Sequence, residues 1–182
     1  MEFLQAFNPA NAVGNIQSFL IAGGNVLFVI MIATFFMWML IVERFIYFGT
    51  ANGGVKKRAF RAWDARSDHQ SWYAHAVRDK LISEVKEKAT SNIGLIKVMV
   101  AVSPLLGLLG TVTGMVEVFD VMAVTGSSNA RLMAGGITKA TIPTMAGLVA
   151  SLSGIVAMNI IDRQAKRTVS EVSDKLLIGT GV

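Results

Sequence analysis

The chain has 182 residues, of which 53% are hydrophobic and 16% charged, with 17 glycines, 3 prolines and a mean hydropathy of +0.54. So few charges cannot cover a water-soluble surface, so the apolar residues must face lipid or one another. The absence of cysteine excludes disulfides, thiolate catalysis and thiolate metal sites, and 2 histidines are too few for a histidine-rich metal centre.

The net charge of +5 is segregated along the chain. Met1 to Val42 carries only Glu2, whereas Glu43 to Lys97 holds eleven basic and six acidic residues, a net +5 that equals the whole chain's charge. Val98 to Ile161 carries only Glu117, Asp120, Arg131 and Lys139, and charge resumes at Asp162. The apolar runs predict transmembrane helices over 20–42, 98–123 and 132–161, each at least the ~20 residues that the hydrocarbon core requires. Basic loops stay in the cytoplasm, so the 43–97 segment and the 162–182 tail are assigned there, with residues 1–19 and the 124–131 turn outside. The fold class expected is an all-α membrane protein with three transmembrane helices and long cytoplasmic helical extensions. Topology accounts for the positive charge, and nucleic-acid binding is set aside.

In chain order, Asn8-Pro9 resembles an N-cap followed by proline at the first helical position, opening an amphipathic interfacial helix over 1–19. The first span reads as uncleaved, since no basic stretch precedes it. Asn52-Gly53-Gly54 predicts a break after it. Within the 43–97 helical domain, Trp72, Ala76, Leu81 and Val85 mark an apolar helix face, and His69 and His75 are expected in solvent. Phospholipid is expected near Arg44 and the basic segment.

The hairpin of spans two and three holds most of the information. Gly107, Gly110 and Gly114 precede the turn, and Ala140, Thr144, Gly147, Ser151 and Gly154 follow it at spacings of four, three, four and three. Such a stripe lets helix backbones approach closely in lipid, and its length predicts oligomeric assembly. Pro104 and Pro143 predict kinks. Thr111 lies fourteen residues before Thr125 and Thr144 fourteen after Ala130, the ends of the tight turn, so both sit roughly 21 Å in at ~1.5 Å per residue. The same count puts Glu117 and Lys139 roughly 12–14 Å along their helices, which predicts an ion pair within or between subunits. No Asp, Glu or His lies at the depth of the threonines, where a membrane proton relay needs a titrating group. No nucleophile, base and orienting group occur together, so no catalytic residues are assigned and the chain is not read as an enzyme.

The run Leu105-Leu106-Gly107-Leu108-Leu109-Gly110-Thr111-Val112-Thr113-Gly114-Met115, ending in Phe119, resembles the second span of the MotA/TolQ/ExbB proton-channel family. Gly136-Ile137, Ala140, Thr144, Gly147-Leu148 and Ala150 resemble the third. The resemblance implies a homo-oligomeric ring, a pentamer, in the bacterial inner membrane. Thr111 and Thr144 match the family's pore-lining threonines. Protons would be the coupling ion, with no cofactor beyond bound phospholipid. An ExbD-type single-span partner would supply the membrane aspartate and a TonB-type protein would carry the work to outer-membrane import of siderophores, haem or vitamin B12. Lys139 departs from the glutamate of the better-known ExbB and TolQ proteins, which points to an accessory TonB system. A TolQ-like subunit of the Tol-Pal system and a passive membrane scaffold are the alternatives.

Overall fold

A computed structural model describes residues 9–69, 71–125 and 130–176. Residues 1–8, Asn8 among them, residue 70, residues 126–129 of the turn and the last six residues lie outside the described residues, as do the expectations that fall on them. All regular structure among the described residues is helical: α1 Pro9–Ile46, a π-helical turn Tyr47–Ala51, α2 Asn52–Asp64, α3 Trp72–Thr90, α4 Ile93–Thr125 and α5 Ala130–Lys175. Among the described residues, three stretches are long and apolar enough to cross a membrane, Gly23–Asp64, Trp72–Val124 and Met133–Lys175. The helices divide between two compact units, one of residues 1–37 and 99–153 and the other of 38–98 and 154–182.

In the first unit, α4 and α5 form a hairpin whose contact surface is made by small residues. A Cβ on Gly107 would lie 3.0 Å from the Thr144 Cα, one on Gly114 2.6 Å from the Ala140 Cα, and one on Gly147 2.6 Å from the Ser103 carbonyl oxygen. Gly110 admits the Pro143 ring, whose Cβ would sit 2.4 Å from an added methyl. At Gly107, Gly110, Gly114 and Gly147 the small residues thus serve the packing of α4 against α5 within the chain. A hairpin this closely packed needs many small positions, because any Cβ would meet backbone or a ring that cannot give way. The outward faces carry large apolar side chains instead: Leu105, Leu108, Leu109 and Val112 on α4, and Met145, Leu148, Val149 and Leu152 on α5. Such faces require lipid or other protein against them.

The helix α1 contains one non-helical residue, Gly24, at φ 64° and ψ −165°. Only glycine occupies this region readily. The interruption falls inside the 20–42 span, where no break was expected. Pro104 and Pro143, by contrast, lie within helices α4 and α5 that continue through them.

The second unit is a small packed core of Ala59, Trp63, Ala74, Val85, Val172 and Leu176, covered by Val55, Phe60, Leu81 and Ile82. Asn52-Gly53-Gly54 do not break the chain: they begin α2, and the irregularity lies five residues earlier in the π-helical turn. Glycine in a helix costs about 1 kcal/mol without forbidding it. Asn52 is also anchored, its Nδ2 donating to Thr168 Oγ1 at 3.0 Å. Of the expected stripe on α3, Val85 is buried and Leu81 packs against the core, whereas Trp72 is 84% exposed and Ala76 is exposed too, and Ala74 and Ala89 complete the buried face. Trp72 sits next to Ser71, whose hydroxyl accepts from the Ala74 N–H, and belongs to the start of the helix rather than its packed face. His69, expected in solvent, is half-buried edge-on against Trp63 with ring centroids 4.9 Å apart. Arg78 donates to the carbonyls of Ser173 and Leu176, closing the C-terminal end of α5.

Candidate functional site

The candidate site is built on the α4–α5 hairpin, where polar groups enter an otherwise apolar stretch. Antiparallel packing sets their heights. Thr144 lies against Gly107, Pro143 against Gly110 and Ala140 against Gly114, so Thr111, beside Gly110, is within a turn of Thr144. Thr144 Oγ1 donates to the Gly107 carbonyl of the facing helix at 2.8 Å. Thr111 Oγ1 donates within its own helix to the next carbonyl, that of Leu108, at 2.7 Å. A hydroxyl has one proton and two lone pairs. With both protons committed to adjacent carbonyls of α4, both threonines have only lone pairs left to offer. Both side chains are half-buried.

Glu117 and Lys139 form an ion pair within the chain, Nζ to Oε2 at 2.5 Å, with side chains 59% and 40% exposed. Lys139 reaches across α1 at its interruption: the lysine Cε lies 3.3 Å from where a Gly24 Cβ would stand. Gly24 is not among the site residues expected from the sequence, although the Gly23-Gly24 doublet inside an apolar run is a visible signal. Its part in the site depends on a third helix, which spacing along the hairpin does not reveal.

The prolines acquire partners. Pro104 has no N–H for the carbonyl four residues back, that of Val100. Ser151 Oγ donates to that carbonyl at 3.0 Å, so a hydroxyl of α5 replaces the lost backbone donor. Ser151 is 6% exposed, and Ser103, also buried, bonds back to Met99. Gly154, last of the predicted stripe, is buried as well. Among the described residues no three side chains able to bind a metal converge.

Residues 44–174 match the MotA/TolQ/ExbB proton channel family, a span well over half of the chain. The biopolymer transport protein exbB1 of Vibrio cholerae is 33% identical over 96 residues, 52% of this chain and 42% of that protein. The biopolymer transport protein ExbB of Salmonella typhimurium is 36% identical over 88 residues, 47% of this chain and 36% of its own length. The ExbB of Pseudomonas putida is 30% identical over 96 residues, 53% of this chain and 29% of its own. The matched stretches therefore span less than half the length of each of these relatives.

Proposed function

Because the chain belongs to the MotA/TolQ/ExbB proton channel family, we propose that it is the channel-forming subunit of an inner-membrane complex that turns proton motive force into mechanical work. In this reading, several copies, five by the family resemblance, surround a lumen walled by α4 and α5. An ExbD-type single-span partner occupies that lumen and drives a TonB-type protein for outer-membrane import of nutrients such as siderophores, haem or vitamin B12. The N-terminus lies in the periplasm and the C-terminus in the cytoplasm. The relatives named as biopolymer transport proteins favour this reading over a Tol-Pal role.

The observation that carries it is the family match across the hairpin bearing Thr111 and Thr144, combined with the absence of any acid or histidine at their level. A carboxyl brought in by the partner would meet hydroxyl lone pairs, because the threonine protons are donated to Gly107 and Leu108. A protonated acid can donate to those lone pairs, whereas a carboxylate cannot. The site therefore suits the neutral form of the arriving acid. Apolar walls of leucine, valine and methionine offer that partner few fixed polar anchors and little resistance to turning.

The reading is tested by Thr144→Ala, Thr144→Val and Thr144→Ser in cells that depend on TonB for iron. Alanine and valine should reduce iron-limited growth at least tenfold at normal protein level, and serine should restore it. Undiminished growth with both alanine and valine removes the threonine from any proton path. Neighbouring genes separate the systems: an ExbD-type gene supports the proposal, and Tol-Pal components would move it to envelope constriction.

A further inference from the structure

Pro104 strips the Val100 carbonyl of its helical donor, and Ser151 replaces that donor from across the hairpin. Pro143 does the same to the carbonyl of Lys139, four residues back, and no side chain among the described residues makes good the loss. The hydroxyls nearest to it are committed elsewhere, Thr138 to Ala134, Thr141 to Ile137 and Thr144 to Gly107. A backbone acceptor is left open in an apolar stretch.

The side chain of the same residue is also under-used. An ammonium carries three N–H donors, and an ionised carboxylate offers about four acceptor positions. A single contact joins the two groups, Lys139 Nζ to Glu117 Oε2 at 2.5 Å. Lysine donors and most of the glutamate's lone pairs remain to be satisfied.

The third contribution comes from α1. At Gly24 the backbone leaves the helical region, with φ 64° and ψ −165°, so α1 has a terminus on either side of that residue. The last carbonyls before a helix terminus lack N–H partners of their own. The Lys139 stem lies against this point, its Cε 3.3 Å from where a Gly24 Cβ would stand. The break, the open carbonyl and the ion pair therefore converge on one residue.

Unpartnered polar backbone persists at membrane depth only where protein covers it or water reaches it. Gly24 and Lys139 are half-buried and Glu117 is 59% exposed, so the chain itself does not close the site. We propose that the α1 break, the Lys139 carbonyl and the Glu117–Lys139 pair form one polar notch that holds a cluster of water molecules and opens to the outer side of the membrane. A structural water commonly makes about three hydrogen bonds, and the notch supplies both donors and acceptors for them. The orientation rests on the proton-channel reading above. Five residues separate Lys139 from Thr144 and six separate Glu117 from Thr111, about 7.5 and 9 Å along the helices. The notch thus brings outside water within two helical turns of the level at which, on that reading, the partner's acid exchanges its proton.

Because the chain has no cysteine, single-cysteine labelling of the full protein in spheroplasts tests the notch directly. A membrane-impermeant, positively charged methanethiosulfonate added outside should modify Lys139→Cys at least tenfold faster than Ile137→Cys. Ile137 is 50% exposed, slightly nearer the turn and on a different face of α5. Gly24→Ala disfavours the break, and Pro143→Ala returns an N–H to the Lys139 carbonyl; each, added to Lys139→Cys, should slow its labelling at least fivefold. Circular dichroism establishes that each variant is folded, and the comparison of Lys139→Cys with Ile137→Cys decides alone if neither double variant is. Equal rates at the two positions would place the charges in bulk water beyond the bilayer and overturn the proposal. So would no labelling of Lys139→Cys, or an unchanged rate in the folded double variants. Labelling only by reagent on the cytoplasmic side would overturn the orientation. Labelling measures water access without reference to iron uptake, so it stands or falls separately from the growth test on Thr144.

Discussion

Lys139 and Glu117 show how much a single pair of residues can reveal when depth is counted along two helices. Each lies inside an apolar stretch, and an isolated charge there would be costly. Their pairing within one chain removes much of that cost without a second subunit. Partial exposure limits the value of the bond, since pairs open to water contribute about 0.2–1 kcal/mol. Lys139→Glu places two carboxylates side by side and should destabilise the purified chain by about 1 kcal/mol or more, with a lowered midpoint of thermal unfolding in detergent. Adding Glu117→Lys should recover at least half of the loss; a double variant no better than Lys139→Glu would show that the pair contributes nothing. This contact was legible in the sequence because both residues are counted from one turn. The passage of the Lys139 stem beside Gly24 was not, because it requires the position of α1.

At the scale of the element, the hairpin was largely legible and its purpose was not. The glycine spacing announced close helix packing, and the structure supplies that packing with the facing helix of the same chain. Gly107, Gly110 and Gly147 do so at the cost of helix propensity, which lipid-exposed helices tolerate because their backbone bonds have no competing water. Pro104 was read only as a kink; the donor that serves the Val100 carbonyl, Ser151, lies across the hairpin and becomes evident only when the two helices are paired. A double-mutant cycle isolates this exchange. Ser151→Ala alone should cost about 0.6–1.7 kcal/mol, the range for hydrogen bonds between membrane helices. In a Pro104→Ala background the backbone regains its own donor, so the same change should cost measurably less, read as thermal stability in detergent. Equal costs in both backgrounds would mean that Ser151 does not serve the carbonyl freed by Pro104. In the second unit, helix existence was clear from pattern, and of the expected face of α3 Leu81 and Val85 pack as read while its first half does not. Trp72 belongs to the exposed first turn, and Ala74, a small residue with little signal in the sequence, is buried in its place.

For the whole molecule, the three apolar stretches and the charged segment between the first two were evident from composition, and the family was recognisable from the second and third spans. The division into two compact units was not evident, because continuous helices cross from one unit to the other without linker composition. The large apolar side chains left outward on α4 and α5 call for lipid or other protein against them. With no acid at the level of Thr111 and Thr144, the chain reconstituted alone in liposomes should carry no proton current above that of empty vesicles under an imposed pH gradient. Current should appear when an ExbD-type partner is included. A substantial proton current from the chain alone would contradict the need for a partner's carboxyl.

The two hydroxyl bonds that cross the hairpin have a mechanical consequence. Thr144 holds Gly107 and Ser151 holds Val100, seven residues apart on both helices. Sliding α5 along α4 by one turn, about 5.4 Å, would strip both carbonyls of these donors in an apolar setting and drive side chains into the glycine backbones. The hairpin therefore cannot act as its own ratchet. Any stroke made here must carry both helices together, with the slippage at their outer faces, where leucine, valine and methionine meet whatever lies beyond.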